Sequence, residues 1–328
     1  MRVLVTGGSG FLGSHVVEAL GRKGHEAVCL VRKTSDTSFL KEKGVELREG
    51  AIDAHDTLAE AVKGIDAIVH CAGVVKARTY EDFERVHAGG TVALARAAKQ
   101  HAPNLRRFVH VSTAGVMGAA SKGQRHVESE DPNPATSYSR SKLAGERALL
   151  ELSGELPITV IRPPAIYGPR DREIFAFFQM VKWTKMAIRF GGAMKTMSLV
   201  YAEDCADACV RAIDADVPSG SKYFVEDGAT YTFEDMAHAI AAGFGITLLG
   251  TPALPEGIVR AAAMTSELFG KATGKVMIFT RDKLPELLME HFAVDSSAAR
   301  RDLGWSPKTA FPEGAKKTAA WYVENGWL

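Results

Sequence analysis

Thr6-Gly7-Gly8-Ser9-Gly10-Phe11-Leu12-Gly13 is the stretch of sequence that decides the fold. It follows an apolar run at residues 3–5 and opens a helical pattern over about residues 11–22. Glycines at this spacing permit a tight turn and a close approach of the backbone to a pyrophosphate, which the start of a helix attracts. A glycine-rich turn used only for packing is the alternative, but the strand before it and the helix after it favour dinucleotide binding.

Apolar strands and helical stretches alternate through the first half of the chain. The further strands are predicted at residues 27–31, 45–47, 67–69, 108–111 and 158–161, with the longest helices at 80–100 and 136–152. Continuous apolar strands separated by helices indicate a parallel sheet covered on both faces. We therefore predict an α/β fold, a Rossmann doubly wound parallel sheet.

The pattern changes after Arg162-Pro163-Pro164, where strands become sparse and prolines recur. Helices are predicted at residues 233–242, 255–269 and 312–327. These observations divide the chain into a Rossmann dinucleotide-binding domain at residues 1–165 and a smaller mixed C-terminal substrate lobe at residues 166–328. The segment 196–215 has a strand-then-helix pattern and is predicted to return to the first domain.

The composition argues against several functional classes. The 328-residue chain is 46% hydrophobic and 24% charged, which is typical of a globular protein, and its net charge of +1 gives no reason to expect nucleic-acid binding. We expect no membrane span, because no apolar run approaches roughly 20 residues, and a cytoplasmic location, because no signal-peptide pattern opens the chain. The four cysteines form no CxxC pair or metal-ligand cluster, so reduced thiols and no metal site are predicted.

Cofactor choice in such a domain depends on the end of the second strand, where an acid binds the ribose of NAD and an arginine suits the 2′-phosphate of NADP. Here Arg32 and Lys33 follow Val31, which favours NADP. Alternatively, Arg32 is solvated or stacks on adenine and NAD is used. Asp36 is a less well-placed ribose ligand.

Tyr138 and Lys142 supply candidate acid/base chemistry. They are four residues apart in a predicted helix and so share one face. A nearby ammonium lowers the pKa of a tyrosine from its usual value near 10, which lets the phenol exchange a proton with a carbinol or carbonyl oxygen while hydride moves. Ser112 and Thr113 bring two hydroxyls to the carboxyl end of the fifth strand, where ligands bind.

These motifs resemble the extended short-chain dehydrogenases/reductases nearly end to end. The segments that carry the resemblance are Thr6 to Gly13, His70-Cys71-Ala72-Gly73, Ser112-Thr113-Ala114, Tyr138 to Lys142, Arg162 to Pro169 and Ala299 to Trp305. The resemblance implies that Tyr138 is the acid/base, that Lys142 bonds the nicotinamide ribose and lowers the tyrosine pKa, and that Thr113 polarises the substrate oxygen, with Ser112 as the alternative.

The resemblance also implies a cofactor-binding set. The loop Ala72-Gly73-Val74 would pass the cofactor ribose, and Pro163 to Ile166 would flank the nicotinamide amide. The residues predicted to contact the cofactor are Gly7, Gly10, Phe11, Leu12, Gly13, Arg32, Ile52, Asp53, Ala72, Gly73, Val74, Tyr138, Lys142, Pro163 and Ile166.

Two positions depart from the family pattern. The third strand ends in Gly50-Ala51-Ile52 where the family usually has Gly-Asp-Leu, so the polar contact to adenine is either lost or supplied by Asp53. His87 stands where the family often has asparagine, and packing between helices is its favoured role over direct catalysis.

The related branches are the dihydroflavonol reductase-like and 3β-hydroxysteroid dehydrogenase-like enzymes and the nucleotide-sugar epimerases. The aromatic stretch at residues 175–186 is either an amphipathic core helix or a pocket wall for an apolar substrate. The predicted substrate contacts are Val75, Tyr167, Arg170 and Phe178.

The leading hypothesis is an NADP-dependent reductase or dehydrogenase that acts on a secondary alcohol or ketone of a mostly apolar small molecule. The alternative is a nucleotide-sugar epimerase/dehydratase with retained NAD, and a non-catalytic nucleotide sensor is a third reading that the retained tyrosine disfavours. The resemblance further implies a homodimer paired through the helices at 80–100 and 136–152.

Overall fold

The computed structural model describes residues 1–192, 194–273, 277 and 279–328. Six strands come from the first half of the chain: β1 (Arg2–Thr6), β2 (Glu26–Val31), β3 (Glu46–Glu49), β4 (Ala67–His70), β5 (Arg107–Val111) and β6 (Ile158–Arg162). The later strands are short: β7 (Ala165–Tyr167), β8 (Arg189–Phe190), β9 (Thr196–Met197), β10 (Leu199–Tyr201), β11 (Ser221–Phe224), β12 (Tyr231–Thr232), β13 (Ala253–Leu254) and β14 (His291–Phe292).

The helices alternate with the strands and then dominate the C-terminal part. They are α1 (Phe11–Arg22), α2 (Ser38–Glu42), α3 (Leu58–Val62), α4 (Tyr80–Glu84), α5 (Gly90–His101), α6 (Ser137–Leu150), α7 (Phe175–Thr184), α8 (Ala202–Asp214), α9 (Phe233–Gly243), α10 (Glu256–Thr273), α11 (Leu284–Leu287), α12 (Ser297–Asp302) and α13 (Phe311–Glu324). A π-helical turn at Arg85–Gly89 joins α4 to α5, so the predicted helix over 80–100 is nearly continuous. Among the described residues, every helix is too short or too polar to cross a bilayer.

Seven parallel strands form the main sheet in the order β11-β6-β5-β4-β1-β2-β3. The order reverses between β1 and β4, which is where such sheets open a cleft at the strands' carboxyl ends. Helices α1 and α8 pack on one face, and α3, α5 and α6 pack on the other. The predicted fold class, a Rossmann sheet with a smaller mixed lobe, is confirmed.

The lobe has its own aromatic core. Tyr167, Phe178, Phe311 and Tyr322 are fully buried together, and helices α9 and α13 pack against each other around them. The described part of the lobe also forms three small sheets, of which the largest has the order β12-β9-β14. This arrangement places residues 195–197 and 286–292 above the carboxyl edge of the main sheet.

One strand of the main sheet was missed by the sequence analysis. Residues 196–215 do not supply it, because β10 pairs with β7 in a separate two-stranded sheet and only α8 packs on the main sheet. The seventh strand is β11, which pairs with β6 at the sheet edge. It reads Ser-Lys-Tyr-Phe, so it lacks the continuous apolar run that identifies a central parallel strand.

Candidate active site

The glycine loop after β1 has the geometry of a phosphate cradle. Gly7 has a φ of +74°, and a Cβ there would lie 2.9 Å from the backbone nitrogen of Ala72. A Cβ on Gly13 would lie 2.1 Å from the carbonyl oxygen of Gly7. Both positions therefore require glycine. Helix α1 starts directly behind the loop with no side-chain cap, which leaves its first N–H groups available to an anion.

A cavity of about 300 Å³ opens above this loop at the point where the strand order reverses. It brings together most of the predicted cofactor contacts: Gly7, Gly10, Phe11, Leu12, Gly13, Arg32, Ile52, Asp53, Ala72, Gly73 and Val74. The sequence analysis missed several neighbours of these residues on the same wall: Thr6, Ser9, Leu30, Ser35, Gly50, Ala51, Cys71 and Val86. This cavity fits a dinucleotide, because the glycine loop that would hold the pyrophosphate and the apolar side chain of Ile52 line the same cleft.

The charged residues predicted near the adenosine end of the cofactor differ in their positions and partners. Arg32 lines the cavity beside Ser35, whose Oγ accepts a hydrogen bond from the Arg32 N–H at 3.2 Å. Lys33 is paired with Glu49 at 3.3 Å. Asp36 accepts two bonds from Ser38, which lower the pKa of its carboxyl group, and it is not part of the cavity wall.

Helix α6 carries the two candidate catalytic residues one turn apart. Thr136 caps the helix by accepting a hydrogen bond from the Ser139 N–H at 3.2 Å, so Tyr138 lies in the first turn. The ammonium of Lys142 donates to the carbonyl oxygen of Val111 at 2.7 Å, which ties α6 to the end of β5. Burial lowers the pKa of Lys142 to about 8.

The tyrosine pKa departs from the expectation. Burial raises the pKa of Tyr138 to about 12, and the carboxylates of Glu286 and Glu173 add to the increase. The causes of this shift are the desolvation of the phenol and two acids on the lobe side, and Lys142 is not among them, so the lowering of this pKa by Lys142 stays a prediction. At neutral pH the phenol keeps its proton.

A second cavity, of about 170 Å³, lies between the two domains, and Thr136 and Ser139 at the start of helix α6 are on its wall. Thr113 is on its wall, and its Oγ1 accepts a hydrogen bond from the Gly115 N–H at 3.1 Å, which leaves the Thr113 hydroxyl proton free to donate. Ser112 is 4% exposed, its Oγ is buried without a protein partner, and it is not on the wall. Geometry therefore favours Thr113 over Ser112 as the oxygen-binding hydroxyl.

The lobe supplies the other wall of this cavity. Lys195, Met197, Glu286, Met289 and Phe292 face the hydroxyls of Thr113, Thr136 and Ser139. The described wall is completed by Gly115, Ala135, Pro164, Ala165 and Thr196. The sequence analysis missed the lobe residues because they lie outside any motif.

The predicted substrate contacts lie mostly elsewhere and are corrected here. Tyr167 and Phe178 are completely buried in the lobe core, because α7 uses its aromatic side to pack rather than to line a pocket. Arg170 bonds Glu18 at 2.7 Å and Ser14 at 3.0 Å on α1, so its guanidinium is occupied. Val75 is 49% exposed and follows Val74 at the rim of the cofactor cavity.

The remaining predicted cofactor contacts are near the cleft but off the walls of the first cavity. Pro163 is buried, and its carbonyl oxygen accepts a hydrogen bond from the Ala114 N–H at 2.8 Å. Ile166 is half-buried against the main core. Tyr138 and Lys142 lie on α6 and line neither cavity; the ring of Tyr138 packs edge-on against Phe83 and His87.

The lobe also forms hydrogen bonds with the first turn of helix α6. The carboxylate of Asp282 accepts hydrogen bonds from the Ser137 N–H at 3.0 Å and from the Ser137 hydroxyl at 2.8 Å. Arg140, in the same turn, lies 3.5 Å from that carboxylate. The first turn of α6 is therefore fixed by both domains.

A dinucleotide cleft, a tyrosine and lysine on one helix and an adjoining cavity with a free hydroxyl define the class of Rossmann-fold oxidoreductases. The chain belongs to the NAD-dependent epimerase/dehydratase family, whose model matches residues 3–225, and is thus an extended short-chain dehydrogenase/reductase.

Known relatives include both reductases and epimerases. The chain is 30% identical to the ceramide reductase of Caulobacter vibrioides over 99% of its own length and 96% of that protein. It is 27% identical to a UDP-glucose 4-epimerase of Vibrio cholerae, over 98% and 95% of the two chains. The structure of a UDP-glucuronic acid 4-epimerase from Bacillus cereus in complex with NAD has the same fold, with a TM-score of 0.78, 21% identity and coverage of 99% of both chains.

Proposed function

We propose that the protein is an NADP-dependent reductase that converts a ketone of a mostly apolar small molecule into a secondary alcohol. The observation that carries the proposal is the second cavity, where the hydroxyl of Thr113 and the helix of Tyr138 meet the apolar side chains of Met197, Met289 and Phe292. The similarity to a ceramide reductase, a protein named for a lipid, supports an apolar substrate.

The first cavity supports the cofactor assignment. The glycine cradle would hold the pyrophosphate, and the cation of Arg32 beside the hydroxyl of Ser35 suits a 2′-phosphate better than a bare ribose diol. Asp53, the acid on that wall, forms an ion pair with Arg85. The cofactor, when bound, would supply the hydride.

The protein's side chains divide the remaining work. The free hydroxyl of Thr113 donates a hydrogen bond to the carbonyl oxygen and so polarises the carbonyl carbon toward attack by hydride. Tyr138 then delivers a proton to the same oxygen. A phenol whose pKa is about 12 carries its proton at neutral pH, so Tyr138 is in the protonation state that a reduction requires. Lys142, anchored on Val111, holds positive charge beside this site.

An epimerase acting on a nucleotide sugar is the second candidate, because such enzymes are among the relatives. Its substrate would bring a diphosphate, which proteins bind with several cations or helix N-termini. Within the part of the chain that the structure describes, Lys195 is the one cation on the wall of the second cavity, and its ammonium already donates to the carbonyl oxygen of Leu287. This wall favours the reductase.

The test is a series of methyl ketones and 3-oxo amides of increasing chain length, each supplied with NADPH and followed at 340 nm. We expect turnover that rises with chain length and that falls at least about a hundredfold in Tyr138→Phe, the scale of a lost general acid. Net conversion of UDP-glucose to its 4-epimer without an absorbance change, together with no oxidation of NADPH by any ketone, would overturn the proposal in favour of the epimerase.

A further inference from the structure

His87 lies between the cofactor loop and the catalytic helix. It occupies the π-helical turn at Arg85–Gly89, is 2% exposed, and is the residue at which the chain departs from the asparagine of the family pattern. Its ring meets the ring of Tyr138 edge-on, at 5.6 Å between centroids and 84° between planes. A Cβ on Gly73 would come within 3.1 Å of its Nε2 atom, so the cofactor loop also lies directly against it.

The hydrogen bonds around His87 determine its tautomer. The Val74 N–H can only donate, and it points at Nε2 at 3.1 Å, so Nε2 is the unprotonated nitrogen. On the other side, Nδ1 lies 2.8 Å from the Ser141 hydroxyl, whose own proton goes to the carbonyl oxygen of Tyr138 at 2.8 Å. Nδ1 must therefore carry the proton and donate it to the Ser141 hydroxyl. Each group in this series of hydrogen bonds is then defined as a donor or an acceptor.

His70 forms a second series of hydrogen bonds, which runs from the cofactor loop to the backbone of His87. The Ala72 N–H donates to the Thr6 hydroxyl at 3.3 Å, and that hydroxyl lies 2.6 Å from Nδ1 of His70. Nε2 of His70 lies 2.9 Å from the Thr91 hydroxyl, whose proton goes to the carbonyl oxygen of His87 at 2.6 Å. The same reasoning places the His70 proton on Nε2. Both connections begin at backbone N–H groups of the loop at residues 72–74.

We propose that His87 is a positioning residue that fixes the distance between the loop at residues 72–74 and Tyr138, as a neutral spacer held in the Nδ1–H tautomer. The loop lines the cofactor cavity and Tyr138 supplies the proton, so the spacing between them sets whether hydride and proton reach the same carbonyl group. His70 supports it by holding the turn that carries His87. The catalytic part of this inference rests on the proposed reductase activity.

The hydrogen bond from the Val74 N–H requires that the imidazole of His87 is neutral. A second proton on His87 would face the Val74 N–H and break that connection. Burial, and next the ammonium of Lys142, lowers the pKa of His87 to about 3, which keeps the imidazole uncharged throughout the neutral range. The spacer is therefore not an acid or a base in the reaction.

The first measurement is independent of activity. In ¹⁵N-histidine-labelled protein, we expect one ring signal of the Nδ1–H tautomer that is absent from the spectrum of His87→Asn and does not titrate between pH 5 and 8. A protonated or Nε2–H ring at residue 87 would overturn the proposal. This outcome is distinct from failure of the proposed function, which would show as no NADPH oxidation with any ketone in the wild type.

The second measurement compares variants that keep different connections. His87→Leu removes the hydrogen bonds to both Val74 and Ser141. His87→Asn can still donate from the Nδ1 position to Ser141, and His87→Gln can still accept at the Nε2 position from Val74. We expect the dissociation constant for NADPH to change less than about threefold in all three, single-turnover reduction to fall at least about tenfold in His87→Leu, and the deuterium isotope effect of the transferred hydride to rise. The single-turnover rates and isotope effects of His87→Asn and His87→Gln should lie between those of His87→Leu and the wild type.

The control is His101→Leu, which removes a histidine from the end of the same helical run and should leave all three values unchanged. Wild-type turnover and an unchanged isotope effect in His87→Leu would contradict the positioning role. A uniform loss of NADPH binding and thermal stability, with no change in the isotope effect, would reduce His87 to a purely structural residue and would also contradict it.

Discussion

Acidification should destabilise this protein through its buried histidines. Burial is the main cause that lowers the pKa of His15 to about 4 and the pKa values of His70 and His87 to about 3. In the unfolded chain a histidine has a pKa of about 6.5. Below about pH 6.5 the unfolded state therefore binds more protons than the folded state. Because of this difference, the free energy of unfolding falls as the pH drops.

The size of the effect follows from the pKa differences. At pH 5.0 each of these three histidines is still neutral in the folded protein, so each one lowers the free energy of unfolding by about 2 kcal/mol relative to pH 7.5. Asp171 acts in the opposite direction, because burial raises its pKa to about 6, and it returns about 1.4 kcal/mol at pH 5.0. Together these four groups lower the free energy of unfolding by about 4 to 5 kcal/mol. Buried His110, whose pKa is also lowered, adds to the loss, whereas the raised pKa values of the carboxyl groups of Glu128, Asp204 and Asp227 oppose it.

The assay is urea unfolding of the wild type, His70→Asn and His87→Asn at pH 7.5 and pH 5.0. Each substitution lowers stability at both pH values, but the difference between the two pH values should shrink by about 2 kcal/mol in each variant. His55→Asn, at an exposed position, should leave the difference unchanged. An equal pH difference in wild type and both buried variants would refute the reasoning, because it would mean that these imidazoles are not neutral in the folded state.

Three further predictions concern the cofactor and the assembly. Arg32→Ala should weaken NADPH about tenfold or more and leave NADH nearly unchanged in fluorescence titrations, the loss expected for a charge-assisted bond to phosphate; equal weakening of both cofactors would contradict the assignment. Gly13→Ala should weaken both cofactors at least about tenfold by the same titration, because its Cβ would collide with the Gly7 carbonyl and open the cradle. The outer face of α5 carries half-exposed small side chains, so Ala93→Arg should convert a predicted homodimer into a species of about 35 kDa in light scattering; a wild type already at that mass would remove the dimer.

The local parts of the site could be predicted from the sequence because their chemistry is local. The glycine loop works through spacing within eight residues, and Tyr138 and Lys142 share a face because they are one helical turn apart. Thr113 could be predicted because the carboxyl end of a parallel strand faces the cleft.

The rest depends on contacts between distant segments. Met197, Glu286 and Phe292 reach the second cavity only through the way the lobe packs on the sheet, and none of them lies in a motif. The direction of the Tyr138 pKa shift depends on the same packing, since burial and the carboxylate of Glu286 cannot be derived from the spacing of Tyr138 and Lys142. Arg170 and Phe178 were assigned to the substrate from residue type alone, and tertiary packing gave both another partner.

The bond between Asp282 and Ser137 bears on how such enzymes can diversify. The first amide groups of any helix need an external acceptor, and here a carboxylate from the opposite half of the molecule supplies one. A recombinant that joined this nucleotide-binding half to a foreign lobe would lose that acceptor and leave the exposed amide to water, at a cost of about 1 kcal/mol for a lost cap. A foreign lobe would therefore need its own acceptor at this end of the helix to restore the lost stability.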